Sequence, residues 1–108
     1  MIEIGCSNLL ENKIAIVTGC FRGIGRAILN TYVKNGATVY AIDIAEGCMD
    51  DISSEKIIPC YFDITDAKAI LDLVKRVKKE QGKIDILVNN AGIMNDALIP
   101  MVTDEQIH

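Results

Sequence analysis

The residues best suited to chemistry stand between an apolar run and an amphipathic stretch: Thr18-Gly19-Cys20-Phe21-Arg22-Gly23-Ile24-Gly25. Glycine tolerates positive φ and carries no Cβ to hold a ligand away from the backbone. A helix that starts at such a loop turns its free N–H groups and the positive end of its dipole toward one point, a natural seat for a pyrophosphate. The spacing is G-x-x-x-G-x-G, so the common G-x-G-x-x-G fingerprint is met in kind only. Asp43 closes the second apolar run. A carboxylate there can accept hydrogen bonds from ribose hydroxyls and repel a 2′-phosphate. Arg22 pulls the other way, because a guanidinium in the loop can hold that phosphate. Asp43 tips the balance toward NAD over NADP. Taken alone, Asp43 reads equally as a surface residue opening a loop, and Arg22 as a solvent-facing side chain.

Other chemistries are poorly supplied. The single histidine, His108, is the last residue, and the cysteines at 6, 20, 48 and 60 show no C-x2-C spacing, so no metal site is expected. With a formal charge of −4 and basic residues gathered only at one helix end, the chain is a poor binder of nucleic acid or anionic membranes. No apolar run approaches the roughly 18 residues that span a bilayer. The start Met1-Ile2-Glu3-Ile4-Gly5 lacks a basic region followed by a long apolar stretch. A cytoplasmic protein with reduced, structural thiols is the expectation.

Four strand-length apolar runs must position these groups: Lys13–Thr18, Ala37–Ile42, Lys56–Phe62 and Lys83–Asn89. The first three lack strict alternation, as strands covered on both faces do. Between the first two, Ile24, Ala27, Ile28, Leu29 and Tyr32 trace one helix face, with Asn35-Gly36 as its stop. Between the last two, Ile70, Leu73, Val74 and Val77 repeat the pattern, with Thr65 or Asp66 as N-cap and Gly82 as stop. Lys75, Arg76, Lys78 and Lys79 near that helix's end read as a solvated face complementing its dipole. Ala45–Glu55 reads as a connection with one helical turn at most, and residues 1–10 as a leader. Strand–helix–strand order of this size implies α/β architecture, a parallel sheet with helices on both faces. At 108 residues the chain holds one domain.

The octet from Thr18 to Gly25 resembles the cofactor loop of the short-chain dehydrogenase/reductase family. Asn89-Asn90-Ala91-Gly92 after the fourth run matches that family's N-N-A-G motif, and Asp63-Ile64-Thr65-Asp66 resembles its adenine-contacting segment. The stretch from Ile93 to Glu105 is similar to the 3-oxoacyl-[acyl-carrier-protein] reductase branch. The resemblance implies a Rossmann-type doubly wound sheet in order 3-2-1-4, truncated after the fourth strand, with residues 1–108 as the N-terminal part of one NAD(P)-binding domain. It implies that Gly19, Cys20, Phe21, Arg22 and Ile24, with Gly23 and Gly25, surround the pyrophosphate side of the cofactor. Asp43 would bind the ribose, Asp63 the adenine amino group, and the Ile64 backbone N–H an adenine ring nitrogen. Asn90, Ala91 and Gly92 would line the cofactor, while Asn89 would be mainly structural.

The activity implied is hydride transfer between NAD(P) and a small carbonyl or alcohol substrate, in a complete protein that is a homo-oligomer. The family's proton-transferring tyrosine stands four residues before a lysine. Here Tyr32, Tyr40 and Tyr61 are followed at that distance by Gly36, Ile44 and Thr65. No catalytic residue is therefore assigned, and the 108 residues alone are expected to be inactive. A non-catalytic NAD(P)-binding module is the alternative, and an S-adenosylmethionine-dependent methyltransferase a remote one. Pro59 suits an edge position for the third strand. The apolar fourth strand would be left as an open edge that invites association.

Overall fold

The computed structural model describes residues 9–20, 23–47 and 54–90. Six elements follow one another: β1 (Ile14–Thr18), α1 (Gly23–Lys34), β2 (Thr38–Asp43), β3 (Ile57–Tyr61), α2 (Ala67–Gln81) and β4 (Ile86–Val88). The strands form one parallel sheet in the order β3-β2-β1-β4. From β1 the chain steps outward to β2 and β3, then returns to place β4 on β1's other side. Because crossovers of this kind are right-handed, that reversal puts α1 and α2 on opposite faces. The doubly wound fold and its strand order are those expected from the sequence.

Both faces of the sheet are buried, which explains the unbroken apolar runs. Ile14, Ile16, Tyr40 and Ile42 point toward α2, where they meet Ile70, Leu73, Val74 and Val77. Ala15, Val17, Val39 and Ala41 point the other way, toward Leu29 of α1. Asp66 rather than Thr65 caps α2, its Oδ1 accepting from Ala69 N at 3.1 Å. Gly82 ends the helix in the left-handed conformation with its N–H on Lys78 O at 2.9 Å. α1 stops at Asn35-Gly36 by a paired closure, Ala37 N on Tyr32 O at 3.0 Å and Gly36 N on Val33 O at 3.1 Å. The turn before β1 is fastened to the same helix end, since Leu10 N donates to Asn35 O at 2.8 Å.

Three expectations need correcting. The core face of α1 does not include Ile24, which is 72% exposed, or Ala27. It runs instead through Gly25, Ile28, Leu29, Tyr32 and Val33. A glycine, invisible to a search for apolar side chains, sets the phase of the helix. Nor is Arg76 only a solvated cation. Its guanidinium lies 5.7 Å from the centre of the Tyr40 ring and bonds Glu80 at 3.3 Å. Tyr40 is fully buried, and its hydroxyl donates to Glu80 Oε1 at 2.6 Å. A buried phenol needs such a partner, so the end of α2 supplies it.

Pro59 sits on the edge strand. Val39 N on Lys56 O and Phe62 N on Asp43 O show that even-numbered residues of this stretch bond β2. Pro59 belongs to the outward-facing set, where its missing N–H costs no ladder bond.

β4 is also shorter than the expected Lys83–Asn89. At its start Asp85 Oδ2 accepts from Ile14 N at 2.8 Å, so a side-chain carboxylate stands in for a strand carbonyl. Asp85 N returns a bond to Ile14 O at 2.8 Å. Ala45–Gly47 leaves β2 as a bend and turn, as a connection should. Residues 48–53, the first eight residues, and the stretch resembling the reductase branch lie outside the described residues.

Burial alone would raise the Asp85 carboxyl. The Ile14 N–H, the Lys83 ammonium at 3.1 Å and the charge of Lys13 more than offset it, leaving it below its ordinary value. A depressed carboxyl stabilises the fold above the ordinary carboxylate range, and that contribution disappears as pH falls through the depressed value. Asp85→Ala is expected to cost about 1–2 kcal/mol at neutral pH in urea unfolding, by loss of a bond to a charged acceptor. Asp85→Asn should cost less, and both should flatten the acid limb of stability. An Asp85→Ala midpoint equal to the parent's would show that the β1–β4 start does not depend on this carboxylate.

Candidate cofactor site

β1, β2 and β4 all end at one rim, and the loops leaving them are bonded together. Gly19 and Gly23 have φ of 69° and 68°, a region that disfavours any side chain. Gly25 is needed for a different reason. A Cβ there would overlap the Gly19 carbonyl oxygen and lie 2.7 Å from the Asn90 amide nitrogen. The first turn of α1 is thus drawn against both the β1 and β4 loops. Asn90 Nδ2 donates to Gly19 O at 3.3 Å, and Thr18 Oγ1 lies 3.3 Å from Asn89 Oδ1 and 3.4 Å from Val88 O.

The glycine loop also leans on β2. Gly19 N and Cys20 N both point at Ile42 O, at 2.9 and 3.4 Å. Cys20 is fully buried in the α1-side core, its thiol on Val17 O at 3.2 Å. These two residues therefore shape the loop from beneath, and N–H groups for a ligand fall to the first turn of α1. Ile24 stands exposed on that turn.

Asp43 is half-buried at the end of β2. Its carbonyl accepts from Phe62 N at 3.1 Å and its Oδ1 from Ala45 N at 3.0 Å. Ile44 beside it is 67% exposed, an apolar side chain on the rim that a search for polar groups passes over. Asp63 is exposed, and its Oδ1 accepts from Thr65 N at 2.9 Å and Thr65 Oγ1 at 2.7 Å. Those two bonds hold its carboxyl below the ordinary value. Ile64 buries its side chain against α2, leaving only its backbone for a ligand. Phe21, Arg22, Ala91 and Gly92 lie outside the described residues.

Residues 13–108 match the family model described as short chain dehydrogenase. The chain belongs to the short-chain dehydrogenase family. Membership sets aside the methyltransferase alternative. The chain is 38% identical over 102 residues to a 3-oxoacyl-[acyl-carrier-protein] reductase FabG of Thermotoga maritima, covering 89% of the chain and 42% of that reductase. It is 44% identical over 100 residues to the Vibrio harveyi reductase of the same name, covering 90% and 41%. With a 2,3-dihydro-2,3-dihydroxybenzoate dehydrogenase of Bacillus subtilis it shares 34% over 105 residues, covering 90% and 40%. The chain thus spans about two fifths of the length of these curated relatives. A solved short-chain dehydrogenase structure from Pseudomonas syringae superposes with a TM-score of 0.71 at 25% identity, covering 91% of this chain and 48% of that one. Among the described residues no helix of this dehydrogenase-family chain is long and apolar enough to cross a membrane.

The different roles of the glycines in this dehydrogenase loop are separable. Gly25→Ala meets backbone and is expected to cost about 3 kcal/mol or more, as severe core overpacking does. Gly23→Ala has open space around its Cβ and only the positive φ to overcome, about 1–2 kcal/mol. Equal costs in parallel thermal unfolding would contradict the close approach at Gly25.

Proposed function

We propose that this rim holds a nicotinamide adenine dinucleotide in an oxidoreductase that transfers a hydride between the cofactor and a carbonyl or alcohol carbon. The observation that carries the reading is the close approach at Gly25, which holds the start of α1, with its free N–H groups, against the β1 and β4 loops at the rim. In this reading the first turn of α1, with Gly23, Ile24 and Gly25 and the adjoining Phe21 and Arg22, seats the pyrophosphate. Gly19 and Cys20 support that turn. Asp43 takes the ribose hydroxyls, Asp63 the adenine amino group, and the Ile64 N–H a ring nitrogen. Asn90 lines the cofactor, and Ala91 and Gly92 would line it too, as the family resemblance implies. The hydride chemistry is the cofactor's own, and the protein's part is seating and orientation.

NAD is the favoured form, because Asp43 at the end of β2 opposes a 2′-phosphate by charge; Arg22 would favour NADP. The names of the relatives make a 3-oxoacyl thioester the leading substrate class for the complete protein, which we place in the cytoplasm as a homo-oligomer. The 108 residues themselves bind the cofactor without turnover, since none of their three tyrosines stands four residues before a lysine. The second reading is a module that holds the cofactor without turnover in the complete protein. Oxidation of NADH by a longer natural chain given a panel of ketones and 3-oxoacyl thioesters would decide for the enzyme, and saturable binding without oxidation for the module.

Binding to the folded state alone stabilises it by linkage, about 2.7 kcal/mol at a hundredfold excess over Kd, and so raises the melting temperature. NAD is expected to raise it more than NADP at equal concentration, and Asp43→Ala to erase the difference. A larger shift with NADP would assign the choice to Arg22, and no shift with either would refute the site.

A further inference from the structure

We infer that Thr65 is a positioning residue that makes the site choose adenine over hypoxanthine, by holding the Asp63 carboxylate beside the Ile64 backbone N–H. The inference rests on the adenine contacts proposed above and adds what fixes them. Adenine presents an exocyclic amino donor next to a ring-nitrogen acceptor. Reading that edge takes an acceptor and a donor side by side. Hypoxanthine reverses both groups, with a carbonyl oxygen next to a protonated ring nitrogen. Discrimination therefore depends on an acceptor that stays in register with its neighbouring donor.

An exposed aspartate does not stay in register unaided, because it is free to turn about two side-chain bonds. At Asp63 that freedom is removed by one neighbour. Thr65 gives Oδ1 both its backbone N–H at 2.9 Å and its hydroxyl at 2.7 Å. Both bonds fall on the same oxygen, leaving Oδ2 untouched by Thr65. The donor is fixed by other means. Asp66 N bonds Asp63 O at 2.9 Å to close the turn, and Asp66 Oδ1 fastens it to α2 through Ala69 N. The Ile64 side chain, 6% exposed, pins the middle of the turn to the core. Thr65 itself is exposed, so its hydroxyl serves no core contact. Its bond to Asp63 is what the hydroxyl contributes.

Valine keeps the shape of threonine and the backbone N–H bond while deleting the hydroxyl; serine keeps the hydroxyl. The test is calorimetric titration of the parent chain, Thr65→Val and Thr65→Ser with NAD and with nicotinamide hypoxanthine dinucleotide, after circular dichroism has shown all three folded. The parent should prefer NAD. Thr65→Val should cut the NAD-to-hypoxanthine affinity ratio by about tenfold, the scale of one charge-assisted bond. Its loss should fall on NAD, with the hypoxanthine analogue little changed. Thr65→Ser should restore the ratio to within about twofold, since it keeps the same bond. An unchanged ratio in Thr65→Val, or a fall in Thr65→Ser as large as in Thr65→Val, overturns the role of Thr65 while leaving the cofactor site standing. A parent that binds both dinucleotides equally overturns the adenine contacts. A parent that binds neither overturns the site and this inference together.

Discussion

Steric exclusion at Gly25 governs the arrangement of everything around it. The first turn of α1 approaches the Gly19 carbonyl so closely that no side chain fits between them, and the Asn90 amide closes the same gap from the β4 loop. The glycine loop, the helix start that follows it and the sequence-distant β4 loop therefore share one small space. Moving any of them back by the width of a methyl group would open the helix N-terminus away from the sheet rim. Gly19 and Cys20 hold the loop down on Ile42, while Thr18 ties the end of β1 to β4. The result is a helix start aimed along the rim and held from three sides.

The two faces of the sheet divide the labour. Toward α1 the central strands present Ala15, Val17, Val39 and Ala41, small residues that let the helix come close. Toward α2 they present Ile14, Ile16, Tyr40 and Ile42, each burying far more apolar area. At about 1.5–3 kcal/mol for a fully buried large aliphatic side chain, the α2 face contributes more to stability. The α1 face contributes geometry. Tyr40 shows how the larger face handles a polar atom, its hydroxyl donating to Glu80 and accepting from Gln81 Nε2 at the helix end, with Arg76 alongside the ring. Burial and the Glu80 bond hold that phenol above its ordinary pKa and neutral.

The four strands and both helices were legible because they rest on periodicity, glycine spacing and capping chemistry, whereas the strand order followed from the family resemblance. Asp66, Gly82 and Asn35-Gly36 act where their residue types say they should. Pro59 marks an edge for the reason prolines do. What was not legible involves pairs distant in sequence. Nothing local announces that Asp85 will replace a carbonyl for Ile14, or that Arg76 will cover Tyr40. Ile24 was misplaced because an apolar residue in a helical pattern is ordinarily core, whereas here glycine occupies the inner position. Cys20 looked like a loop residue facing a ligand, yet its thiol lies under the loop, because Gly19 and Cys20 spend their N–H groups on β2.

On the proposed reading, the rim where β1, β2 and β4 end holds the dinucleotide and the opposite end of the sheet does not. Backbone amide chemical shifts recorded while NAD is titrated into the labelled chain test it most directly. The expected result is saturable shifts at Gly23–Gly25, Asp43–Ala45, Ile64–Thr65 and Asn89–Asn90. Lys13, Lys56 and Gly82–Asp85 at the opposite edge should be undisturbed. Shifts gathered at that opposite edge, or none at any NAD concentration, would contradict the account.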